Sequence, residues 1–116
     1  MSAQDHLKIA SSELAKASNV VRQEIDKLRD ESAHLQQSAD EQIVRMTDEM
    51  KIHEQEARRS EDPSLQGQAR AAISTLQRHM AERKAQLSTE QQKLQQTIKE
   101  KERYISSLDQ QAKSIG

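Results

Sequence analysis

From Leu7 an apolar residue returns at every seventh position, through Leu14, Val21, Leu28 and Leu35, while Ser11, Ser18, Ile25, Ser32 and Ala39 occupy the alternate sites between them. Alternating three- and four-residue steps lay one narrow stripe along a helix, the seam by which it packs on a partner helix. The repeat then slips. Ala39 to Ile43 takes four residues where three belong, after which Met46, Met50, His53 and Ala57 resume the pattern. Such an insertion is a stutter, which locally relaxes the supercoil. The second half carries its own seam, through Ala69, Ile73, Leu76, Met80, Arg83, Leu87, Gln91, Leu94, Ile98, Lys101, Ile105, Leu108, Ala112 and Ile115, again with one slip.

Turn chemistry is confined to Ser60-Glu61-Asp62-Pro63-Ser64. Proline disfavours helical geometry in the residue before it but suits the first position of a helix, where its missing N–H costs nothing. Asp62 is placed to cap the helix that follows, and Arg58 and Arg59 suit the C-terminus of the one before. The pattern therefore predicts a first helix over about 3–60, a turn at about 61–63 and a second helix over about 63–114. Ser2 and Asp5 approximate a capping box, with Asp in place of the usual Glu.

The two seams can be tested against each other, because residues facing across an antiparallel hairpin have numbers that add to a constant. With 126 as that constant, Ala57 faces Ala69, Met50 faces Leu76, Met46 faces Met80, Ala39 faces Leu87, Leu28 faces Ile98, Val21 faces Ile105, Leu14 faces Ala112 and Ser11 faces Ile115. Half of 126 is the proline. The stutters coincide, and small residues meet large ones where Ser18 faces Leu108, Ser32 faces Leu94 and Ala39 faces Leu87, which fills a narrow seam without voids. The expected fold is all-α: a long antiparallel two-helix coiled-coil hairpin, with dimerisation into a four-helix bundle as an option and 1–116 as a single unit, whether whole or a fragment of a longer protein. The Leu28–Ile98 and Val21–Ile105 layers should hold it best. Ile43 with Arg83, Leu35 with Gln91 and Ile25 with Lys101 should be weak, and Arg22 and Glu102 flank the seam where they can pair.

Composition agrees with this reading. Only 33% of the chain is hydrophobic, below the 45–50% usual for globular folds, and Ala, Glu, Lys, Leu and Arg make up close to half of it. Eighteen basic residues nearly cancel nineteen acidic ones, so disorder driven by net charge is not expected, nor is a global field that recruits nucleic acid or an anionic membrane. There is no cysteine, which removes disulfides, thiolate metal sites and thiol nucleophiles. No apolar run is long enough to cross a bilayer, and Met1 to Lys8 lacks the apolar core of a signal peptide, so a cytoplasmic location is expected.

The residues that carry chemistry are few. His53 falls on the seam with Glu49 and Glu56 on adjacent turns, but a bundle metal site needs Glu-x-x-His repeated on facing helices, and a lone histidine more often fills space. Glu61 and Asp62 place two carboxylates at the turn, where a probe that positions a metal in another enzyme's channel would carry them, although capping explains them as well. Lys101 and Arg83 on the seam read as long stems lying over apolar surface with their heads in water. Tyr104 is the single aromatic residue, which leaves no platform for stacking bases. Two helices in contact are expected to leave no pocket, so no catalytic, cofactor or metal residue is assigned. The residues that matter most are then those of the seam, Leu14, Val21, Ile25, Leu28, Leu35, Met46, Met50, Ile73, Leu76, Met80, Leu87, Leu94, Ile98, Ile105 and Leu108, with Glu61, Asp62 and Pro63 at the turn.

Off the seam, Ile9, Val20, Val44 and Ile52 stand among small residues such as Ala33, Ala71, Ala81 and Ala85 without forming a second stripe. The expectation is a non-enzymatic structural or adaptor module that binds protein partners or itself, with no small-molecule substrate. The alternative is a chaperone or secretion-associated stalk that binds an export ATPase or an unfolded client. An acidic-tip probe or a metal protein ranks below both.

Overall fold

The computed structural model describes residues 2–115. They form two helices, α1 over Ala3–Arg59 and α2 over Pro63–Ile115, joined by a tight turn into a helical hairpin with no strand among the described residues. Neither helix is interrupted, because Pro63 starts α2 and Gly67 is the single glycine within either of them.

Both helix starts are capped by side chains. At α1, Asp5 N–H donates to Ser2 Oγ at 3.2 Å, and Ser2 N–H donates back to Asp5 Oδ2 at 3.1 Å, so two otherwise unsatisfied donors are closed reciprocally. The Ser2 hydroxyl also donates to Asp5 Oδ2 at 3.0 Å. At α2, Ser64 N–H donates to Asp62 Oδ1 at 2.9 Å, and Asp62 N–H donates to Ser60 Oγ at 3.1 Å. Gln66 Nε2 reaches back to the Ser60 carbonyl at 2.8 Å, closing the end of α1 from the start of α2.

The chain divides into two units, residues 2–32 with 92–115, and residues 33–91. In the first, Ile25 and Ile98 are buried, at 4% and 3% exposure, with Leu108 and Ser18 beside them in this class. Leu14, Val21, Leu28, Leu94 and Ile105 are half-buried. Of the layers expected to hold this region best, Ile98 is buried as expected while Leu28, Val21 and Ile105 are half-buried, and Ile25, expected in a weak layer with Lys101, is buried as well. The Lys101 ammonium donates to Glu24 Oε2 at 2.6 Å, and Lys101 is itself half-buried. Leu7 stands 46% exposed and Ser11 is exposed, so the seam is open over its first layers.

Ion pairs flank this seam a heptad apart. Arg22 Nη2 lies 3.5 Å from Asp109 Oδ2 and Arg29 Nη2 lies 3.1 Å from Glu102 Oε1. The expected Arg22–Glu102 pair is not formed, because each guanidinium reaches the acid one heptad away from that reading.

In the second unit Ala39, Ala69 and Leu87 are buried, and Leu35, Ile43, Met46, Met50, Ile73, Leu76 and Met80 are half-buried. Arg83, on the seam, directs Nε sideways to Gln42 Oε1 at 2.6 Å. Thr47 Oγ1 donates to the Ile43 carbonyl one turn back at 2.8 Å, inside the stretch where the repeat slips.

Candidate functional site

The side chains with chemical potential gather near the turn, within the 33–91 unit. His53 follows Met50 along the seam and is half-buried, its Nδ1 3.2 Å from Glu56 Oε2. This contact spans three residues of one helix turn and needs nothing from α2. Glu49, expected beside His53, lines a different depression, with Gln42, Met46, His79 and Arg83. Among the described residues no three His, Asp or Glu side chains are grouped so as to hold a metal ion.

The expectation of a surface without pockets is corrected here. A cleft of about 490 Å³ opens beside the turn, lined by His53, Glu56, Arg59, Ser60, Leu65, Gln68 and Ala69. From α2 it is lined by buried Ala69 and by Leu65, which is 51% exposed. Leu65 carries no seam spacing, so periodicity gave no sign of it. Arg59 brings a cation to the rim, and Glu56 is already engaged by His53.

The two carboxylates at the turn have separate surroundings. Asp62 spends its Oδ1 on the Ser64 amide as a helix cap, while Glu61 is exposed. Pro63 opens α2. The remaining apolar side chains off the seam, Ile9, Val20, Val44, Ile52 and Tyr104, are each about half exposed. Among the described residues no helix is long and apolar enough to cross a membrane.

No protein-family model matches the chain, and neither a curated protein nor a solved structure matches it.

Proposed function

We propose that the chain is a non-enzymatic structural or adaptor module whose hairpin presents helical surface to protein partners or to further copies of itself. The observation that carries this reading is the set of large apolar side chains left outside the seam: Val20, Val44, Ile52, Leu65 and Tyr104 each remain 51–57% exposed. The seam needs none of them, since its own layers are occupied from both helices, and burying the half of each valine, isoleucine or leucine that remains exposed gains roughly half of the ~1.5–3 kcal/mol that full burial gives. Partners that cover such positions contribute stability that the isolated hairpin lacks.

The test is a photoreactive side chain placed singly at Val20, Ile52 or Leu65 of the full chain in the cells it comes from. Discrete protein adducts at one or more positions are expected. Failure to capture any protein at all three, under conditions where the hairpin is folded, removes the proposal.

A further inference from the structure

One flank of the 33–91 unit carries a groove of about 610 Å³ along α1, its walls formed by apolar Ala33 and Val44, by Gln36, Gln37, Asp40 and Glu41, and by Arg45. The walls are held by two hydrogen bonds that run along the helix, from Gln36 Nε2 to Asp40 Oδ1 at 3.0 Å and from Gln37 Nε2 to Glu41 Oε1 at 3.4 Å. Val44 is the most exposed of the large apolar side chains, at 57%.

The opposing helix offers the complement. At the seam register, where facing numbers add to 126, Ala81 stands within one residue of the level of Val44 and Ala85 within one residue of that of Asp40. Val44 directly follows the seam residue Ile43, and Ala81 directly follows the seam residue Met80, so both stand on the same flank. There α2 exposes Ala81, Lys84 and Ala85. The charges differ in the same sense: residues 33–59 hold six acidic and four basic side chains, whereas residues 63–91 hold two acidic and four basic ones. The acidic helix carries the large apolar residue, and the basic helix carries the small ones.

We propose that this flank is an interface between two copies of the chain, stacked so that α1 of each lies antiparallel on α2 of the other. The proposal deepens the adaptor reading above and rests on it. In this stack Val44 seats on the other copy's Ala81, and Asp40 and Glu41 meet its Lys84. Two-fold symmetry makes each contact twice. A large residue over a small one fills the layer, and the opposite charges at the rim select this pairing over α1 on α1, which would bring Asp40 and Glu41 of both copies together.

The experiment is sedimentation equilibrium on the full chain at micromolar concentration, with circular dichroism to verify that each variant stays helical. A dimer is expected. Val44→Arg and Lys84→Glu should each weaken it about tenfold or more, and Asp40→Lys combined with Lys84→Glu should recover part of the loss. Thr75→Arg, at an exposed position directly before the seam residue Leu76 and so on the opposite flank, should leave it unchanged. The chain contains no cysteine, so Val44→Cys with Ala81→Cys should yield a covalent dimer on oxidation. A monomer at all concentrations, or a dimer indifferent to Val44→Arg and Lys84→Glu, overturns the proposal. If the monomer still gives adducts with other proteins, the adaptor reading survives alone; if it gives none, both fall.

Discussion

Lys101 Nζ sits 2.6 Å from Glu24 Oε2, next in sequence to Ile25, which is 4% exposed. Lys101 is half-buried, so its loss removes buried stem as well as the ion pair. Part-exposed ion pairs are worth about 0–1 kcal/mol, while burying apolar stem adds about 25 cal/mol per Å². Glu24→Gln should therefore cost under about 1 kcal/mol and Lys101→Ala more, by urea denaturation. Equal losses would mean that the charge, not the stem, holds this layer.

Ile25→Ala should cost about 2–5 kcal/mol, since a fully covered side chain leaves a cavity. Leu28→Ala should cost less, because Leu28 is half-buried. Glu61→Ala, at an exposed turn position, should be nearly silent. The order Ile25, Leu28, Glu61 in midpoint shifts is the expected result.

Ser18 Oγ is buried with no hydrogen-bond partner. A buried hydroxyl left unsatisfied costs on the order of 1–3 kcal/mol, so Ser18→Ala should raise the thermal midpoint. A lower midpoint would show that the hydroxyl is satisfied in solution.

Gly67 lies one turn into α2, and a methyl group added there meets nothing within 4 Å. Gly67→Ala should stabilise the hairpin by about 0.5–1 kcal/mol, through reduced freedom of the unfolded chain and better helix propensity. Scanning calorimetry checks the sign.

The Asp5 carboxyl is held below its ordinary value of 3.8, first by the Ser2 backbone N–H and second by the Ser2 hydroxyl. Its folded pKa is depressed, so its contribution to the cap is present above 3.8 and fades as the pH falls through the lower folded value. Amide exchange at Asp5 and His6 should accelerate, relative to the helix interior, as acid is added in that range. Asp5→Asn should remove this dependence.

The sequence by itself determined the seam, the reversal at Pro63 and the antiparallel pairing. Hydrophobic periodicity must match across two helices that cover one another, and a single proline marks where that match is centred. Ala39, Leu87 and Ile98, buried in the structure, are therefore visible as a number pattern alone. The tertiary structure decided which acid each arginine takes, how deeply each layer is covered and where clefts open. Long side chains reach several residues along the neighbouring helix, so Arg22 finds Asp109 and Arg29 finds Glu102. Spacing cannot choose between such partners, because the choice depends on the lateral distance and rotation of the two helices. The cleft beside Leu65 is lined from both helices and exists only once both are in place.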